Sequence, residues 1–592
     1  LVFTTRVLYG TSGPDILTDI NDNGSTYIHG LGSDDIIYGL GGYDVLDGGS
    51  GLDELRGGAD NDDYILNDAT LINSSYTWDT VIENANEGFD TVYASADVGR
   101  YTYQLGANVE SLFATGVSVF RLWGNELANG LYGNVADNVI AGYTGNDQLD
   151  GRAGFDELSG GADNDNYILN DATLINGSYI WDTVIENADE GLDTVIASAD
   201  VGRYTYQLGA NVENLIATGV SVFRLWGNEI NNYLEGNTAD NVIAGYAGND
   251  LLAGMNGFDQ LTGGTGDDTY TLTAYDGQQW DTVIENANEG IDTVYIKSTN
   301  SFLLSYTLPD NVENLISDSA SLTQLLGSGL NNSLTGDFIV NAIYGYAGND
   351  ELNGGNNLDG LYGGLNNDVY ILNDATLIHG SYTWDSVIEN ADEGTDTVYA
   401  SANVGLYTYE LRANVENLVA TGNSVFRLWG NILNNRLTGN NAANVIASYA
   451  GRDTLVGKGG NDTLTGGADK DILTGGAGGD RFDYKTLTDS LLSRFDVIKD
   501  FNATVGNDLF LVTTARSGFS DVGTVATLDR SGIAAKLTTT DFAANGAAQF
   551  TFGTRSFVAI NNETAGFNTT TDSIIEITGL VGSLSLDNFV IA

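Results

Sequence analysis

Cysteine is absent from the 592 residues, proline and histidine occur twice each, and no apolar run is long. Without thiols there are no disulfides and no thiolate chemistry. Two prolines beside 77 glycines exclude collagen and low-complexity linker. A membrane-spanning helix needs ~18–20 consecutive apolar residues, and no segment supplies them. Basic residues are scarce too: 22 Lys+Arg stand against 80 Asp+Glu, a net charge of −58. A nucleic-acid partner is thereby excluded, because its phosphates would be repelled. With only His29 and His379, neither of them part of a repeated constellation, a Ser-His-Asp centre has almost nothing to be built from. Paired carboxylates of the glycosidase kind cannot be told apart by counting in so acidic a chain.

What is present is 42% hydrophobic residues, enough for a core, and a self-repulsion that opposes compaction. Either part of the chain is disordered or it folds with many cations. The regular spacing of the apolar residues favours cations.

From Gly30 the sequence divides into nines: "GLGSDDIIY", "GLGGYDVLD", "GGSGLDELR", "GGADNDDYI". The common form is G-G-x-G-x-D-x-U-x, with U large and apolar. The same beat returns at 124–168, 227–271, 327–371 and 430–483. A longer period encloses it, because Tyr64, Tyr167, Tyr270 and Tyr370 recur at spacings of 103, 103 and 100. Between the nonad blocks lies a β-rich spacer, "WDTVIENANEGFDTVYASADVGRYTYQLGANVESLFATGVSVFRLWGN" at 78–125. The third copy loses four residues just before its Trp, as surface loops do and strands do not.

A nonad has room for a six-residue turn and a three-residue strand whose middle residue points inward. One such strand cannot bury its apolar face alone, so turns must stack, two nonads to a coil. The expectation is an all-β fold: a right-handed parallel β-roll solenoid with a C-terminal β cap domain. The spacers are read as longer coils of the same solenoid, with separate inserts as the alternative. The divisions are 1–29 (N-terminal strand and first coil), 30–63 (first nonads), modules at 64–166, 167–269 and 270–369, a fourth with the terminal nonads at 370–483, and a β domain at 484–592.

The turn has the ingredients of a calcium site, since calcium takes six to eight hard oxygens from carboxylates and backbone carbonyls. Glycine permits the positive φ that aims those carbonyls inward. Successive nonads lie on opposite sides, so an aspartate stacks on the one 18 residues away. The pairs implied are Asp35/Asp53, Asp44/Asp62, Asp147/Asp165, Asp250/Asp268, Asp350/Asp368, Asp453/Asp471 and Asp462/Asp480. Asp15, Asp156, Asp259 and Asp359 hold the same turn position, and Asp60, Asp163 and Asp469 replace the fourth-position glycine. Left without a cation, stacked carboxylates would repel and open the coil. At two charges per ion, offsetting −58 would take about 29 calcium ions. Nonads carrying Asn instead (Asn129, Asn138, Asn232, Asn241, Asn332, Asn341, Asn435, Asn444) are read as hydrogen-bonded ladders in preference to metal sites.

"GGSGLDELR", "GKGGNDTLT" and "GGAGGDRFD" resemble the RTX (repeats-in-toxin) nonapeptide, and "FDVIKDFNATVGNDLFLV" at 495–512 resembles the run that closes such arrays. The final stretch, from "FAANGAAQFTFGTRSFVAI" onward, is similar to the tail of cyanobacterial RTX surface proteins. The resemblance implies several Ca2+ ions, folding triggered by calcium outside the cell, type I secretion through an uncleaved C-terminal signal, and a place at the cell surface. RTX enzymes carry a separate catalytic module, for which no stretch remains, so a non-enzymatic structural protein of a surface layer, sheath or filament is expected. Residues 1–10 are read either as closing the first coil or as pairing with a neighbour's cap, which would give self-association head to tail. The alternatives are an adhesin for extracellular polysaccharide or partner cells and, more distantly, a hydrolase. The tryptophans, at two module places such as Trp78 and Trp123, suit either internal packing or stacking on sugars. Glu83, Glu87 and Asp90 recur as Glu186, Glu190 and Asp193, and are read either as further calcium ligands or as a solvated acidic loop.

Overall fold

Parallel strand pairing at fixed offsets organises the molecule. The computed structural model describes residues 6–20, 24–67, 69–72, 75–170, 172–175, 178–273, 280–297, 304–319, 322–373, 375–378, 381–504 and 507–592. It is nearly all β, with 2% helix, in a parallel solenoid of about 23 turns. His379 lies outside the described residues. Two compact units, Leu1–Val294 and Tyr295–Ala592, divide the chain.

In the first unit, strand Val45–Asp47 pairs in parallel with Thr26–His29 and with Asp63–Leu66, placing Leu46 between Ile28 and Tyr64. On the opposite wall Ile36–Gly41 pairs with Glu54–Ala59, Ile37 against Leu55. Both steps are 18 residues, as expected of two nonads per coil. The cause is the D-x-U triplet: in an extended strand the U residue points to one face and its neighbours to the other. Leu46, Leu55, Leu149 and Leu158 are accordingly fully buried. A slip of one residue would expose the whole row, so the register is strongly specified. Strand Arg6–Tyr9 pairs in parallel with Thr26–His29, closing the first coil.

The spacers continue the winding. Strand Thr91–Ala96 pairs with Asp63–Leu66 on one side and Ser111–Gly116 on the other, with Val92 between Tyr64 and Leu112. The coils here are simply longer. Part of the extra length is an antiparallel hairpin, Thr70–Ile72 with Ser75–Thr77, that the sequence reading had not separated from the loop. It recurs as Thr173–Ile175 with Ser178–Ile180. In the third copy the shortened stretch before Trp280 includes residues 274–279, outside the described residues.

The hairpin explains the first tryptophan position. Trp78 packs against Tyr101, Tyr103 and Phe120 at centroid distances of 5.6, 5.8 and 6.1 Å, and its Nε1 donates to the Thr102 carbonyl at 2.9 Å. Trp181 repeats the arrangement on Tyr204, Tyr206 and Phe223. Internal packing is therefore the role of this row. Trp78→Ala should destabilise its coil by about 3 kcal/mol, seen as faster amide exchange confined to the strands around 100–123.

The second unit repeats the pattern, with Leu352 between Leu334 and Tyr370 and the hairpin Thr376–Ile378 with Ser381–Thr383. Its end is closed on both walls. Asp496–Ile498 pairs with Ser573–Ile577, and Leu509–Val512 pairs with Phe589–Ile591, both in parallel. Strands Ala547–Phe552, Arg555–Ile560 and Ser573–Ile577 then run antiparallel over a separate small core of Val525, Ile533, Leu537, Phe542, Phe550 and Phe557. This is the expected β cap, mixed in strand direction.

Candidate metal sites

Each nonad turn is shaped by two different demands on glycine. Positions two and four take positive φ, as at Gly58 (+99°) and Gly51 (+150°), where non-glycine residues are strained. Position one is glycine for space. A Cβ on Gly39 would lie 2.6 Å from both Asp44 Oδ2 and the Gly57 carbonyl of the next coil. Those two oxygens are thus no more than about 5 Å apart, the span of two ligands across one calcium ion. Gly345 repeats this with Asp350 Oδ2 and the Gly363 carbonyl.

The aspartates themselves are divided between two tasks. Oδ1 accepts the backbone N–H of the residue one coil earlier: Asp35 N–H to Asp53 at 2.7 Å, Asp44 to Asp62 at 2.7 Å, Asp147 to Asp165 at 2.7 Å and Asp250 to Asp268 at 2.7 Å. In the second unit Asp350 donates to Asp368, Asp453 to Asp471 and Asp462 to Asp480, at 2.8 to 2.9 Å. All seven 18-residue pairs are therefore brought together. Asp156, Asp259 and Asp359 hold the same place in turns that receive an Asn backbone N–H. In all of these residues Oδ2 is buried with no hydrogen-bond partner. A buried carboxylate oxygen left alone is costly, and a cleft of such oxygens and glycine carbonyls fits a hard divalent cation.

Four sequence-derived residues differ. Asp15 is partly exposed and its Oδ2 accepts the Thr11 N–H and hydroxyl, at 2.5 and 2.9 Å. Asp60, Asp163 and Asp469 lie exposed at positive φ (76°, 81° and 83°), and Asp469 pairs with Arg494 at 3.2 Å. His29 stands beside Asp47, Nδ1 to Oδ2 2.9 Å.

Sequence reasoning missed the row endings. Asp53 donates its N–H to Asp79 at 3.0 Å, Asp62 to Asp90 at 2.8 Å, Asp471 to Asp496 at 3.0 Å and Asp480 to Asp508 at 2.9 Å. These acceptors sit outside the glycine frame, yet "DTV", "DVI" and "DLF" keep the nonad's D-x-U core. That triplet was the usable signal. Glu83 and Asp90 are buried, whereas Glu87 is half-buried and holds Asn84. The recurring acidic triad is therefore two buried carboxylates and one partly exposed residue.

The asparagine turns are satisfied from within. Asn129 Oδ1 accepts the Asn125 N–H at 2.8 Å, and its Nδ2 donates to the Val109 and Glu110 carbonyls at 3.2 and 3.4 Å. Asn232, Asn332 and Asn435 do the same against Val212, Val312 and Val415. An amide N–H stands where an aspartate turn offers a bare oxygen, which favours ladders at these positions.

Burial, then neighbouring carboxylates, push the aspartates up from the ordinary value near 4: Asp147 to about 7, Asp165 to about 8 and Asp62 to about 9. Raised carboxyl values mean that the metal-free folded chain holds more protons than the unfolded chain. Its stability is therefore greatest below pH ~4 and is lost as pH climbs through this window. A cation must displace those protons, so calcium affinity should rise from pH 5 to pH 8 with proton release, measurable by titration calorimetry in buffers of different ionisation enthalpy.

The sequence profile of the RTX calcium-binding nonapeptide repeat matches residues 28–64, 132–167, 226–261, 247–273, 327–370, 429–464 and 448–482. These segments hold the nonad aspartates whose Oδ2 is buried without a hydrogen-bond partner, whereas Asp15 lies outside them. No curated protein matches the chain.

Proposed function

Since the chain is an RTX repeat protein, we propose that its aspartate turns bind calcium between successive coils and that calcium folds it into an extracellular structural element. The observation that carries this reading is the row of buried Oδ2 atoms, each facing its own glycine and, inside the nonad blocks, the next coil's glycine carbonyl. Cation binding there turns mutual repulsion into a link between coils. The fold supports a non-enzymatic role, because the described residues are spent on winding and capping the solenoid. Type I secretion and a place in a surface layer, sheath or filament follow from the same family likeness. Among the described residues no helix is long and apolar enough to cross a membrane.

We infer assembly through the two ends, with the segment 1–10 of one copy, of which residues 1–5 lie outside the described residues, adding to the cap of the next. Electron microscopy with and without a calcium chelator tests it. Ordered polymers that form with calcium and disperse with chelator are expected, and deletion of residues 1–10 should abolish them. Monodisperse particles in both conditions would overturn the assembly reading while leaving calcium binding intact.

One observation favours an adhesin as the second reading. Tyr143, Tyr246, Tyr346 and Tyr449 are about half exposed at equivalent turn positions, each at positive φ. Tyr143 lies 6.4 Å from Trp123, centroid to centroid. Such faces stack on sugar rings. Glycan retention lost on Tyr143→Ala and Tyr246→Ala, with assembly unchanged, would favour adhesion.

A further inference from the structure

Inside a nonad block each glycine of position one faces the carbonyl of the glycine 18 residues on, as Gly39 faces Gly57. The last two nonads of each block have no such successor, because the longer spacer coil follows. Beside Gly57 stand Asp62 Oδ2 and the Tyr64 hydroxyl, and Glu83 Oε1 accepts the Gly57 N–H at 3.3 Å. Beside Gly363 a Cβ would lie 2.6 Å from Glu389 Oε1 and would collide with Asp368 Oδ2 and the Tyr370 hydroxyl. A spacer carboxylate has replaced the glycine carbonyl.

A third carboxylate completes the cluster. Asp62, Glu83 and Asp90 each place one oxygen within 4.8 Å of the other two. The same trio recurs as Asp165, Glu186 and Asp193, as Asp268, Glu285 and Asp292, and as Asp368, Glu389 and Asp396. In the first copy exposures are 1%, 6% and 0%, and each side chain keeps one buried oxygen without a hydrogen-bond partner. The second and fourth copies show the same unpartnered oxygens. Their Glu186 and Glu389 also receive the hydroxyls of Tyr167 and Tyr370.

We propose that each spacer completes a calcium site of its own, built from Asp62, Glu83 and Asp90 and their three counterparts, distinct from the carbonyl-lined nonad sites. Three carboxylates converge where a nonad turn offers one or two, so these four sites hold the greatest negative charge and fill first. An oxygen set within 4.8 Å suits calcium, whose ligands lie ~2.3–2.6 Å from the ion and so up to about 5 Å apart. The site joins the end of a nonad block to the spacer coil above it, the junction where the 18-residue register breaks.

The test uses the full chain and calcium itself. Bound calcium is counted by elemental analysis after gel filtration at low-micromolar free calcium, with circular dichroism in millimolar calcium as the check on folding. The fourfold variant Glu83→Gln, Glu186→Gln, Glu285→Gln and Glu389→Gln should lose four ions per chain, and the exposed control Glu126→Gln none. Should the fourfold variant lose its β signal, Glu83→Gln alone decides, with a loss of one ion expected. Terbium, a calcium substitute excited through tyrosine, gives a second readout: emission should fall in a fourfold Tyr64→Phe, Tyr167→Phe, Tyr270→Phe and Tyr370→Phe variant that keeps its ions. An unchanged count in Glu83→Gln overturns the spacer sites. Absence of calcium from the native chain would instead overturn the reading of the nonads.

Discussion

Chelating calcium at pH 8 should convert the folded chain into an expanded coil, with loss of the β signal and a radius of gyration near the ~90 Å expected of an unfolded chain of this length. The argument is one of magnitudes. Seventeen nonad aspartates among the described residues hold a buried oxygen without a hydrogen-bond partner. Several kcal/mol for each uncompensated buried charge compares with a usual stability of only ~5–15 kcal/mol. Three or four empty clefts would therefore suffice to open a unit. Salt alone should not rescue it, because screening acts weakly on buried groups. A β signal indifferent to chelator at pH 8 would show that the carboxylates are neutralised by protons.

The largest effect of a single substitution is expected at Gly142. Adding a methyl group there collides with Asp147 Oδ2 and approaches the Gly160 carbonyl to 2.7 Å. Two costs combine: overpacking of about 1–3 kcal/mol, and the loss of a cation that leaves Asp147 and Asp165 facing each other, about 3–5 kcal/mol more. Gly142→Ala should release one calcium ion and raise amide exchange across residues 133–165, with distant coils unaffected. Gly518→Ala is the control, since nothing lies within 4 Å of the added methyl. Full ion content and unchanged exchange in Gly142→Ala would refute the cleft geometry.

Much of this was legible in the sequence because a repeat states its own register. Leu46 beneath Tyr64 and Asp44 beneath Asp62 follow from counting 18 residues and from the period-two alternation of strands. The inward row of aliphatic residues and the closing β cap were legible for the same reason. The hairpin Thr70–Ile72 with Ser75–Thr77 was not, since its residues carry no core-facing alternation and Leu71 is exposed. The partnership of Asp62, Glu83 and Asp90 was also hidden. Their separations follow the lengths of the loops between them, which no fixed period encodes. Tyrosine at positive φ, as at Tyr143, runs against local preference and is imposed by the coils on either side.

The asparagine turns have a consequence for kinetics. A stacked array behaves as a one-dimensional lattice, in which ordering starts where a coil is stable by itself and spreads to its neighbours. Coils around Asn129 and Asn138, and around Asn232 and Asn241, satisfy their polar groups without an ion. They are internal seeds, spaced one module apart, each next to coils that wait for calcium. Ordering after calcium arrives would then begin at several points at once, so that its rate depends on the length of a module and hardly at all on how many modules the chain contains.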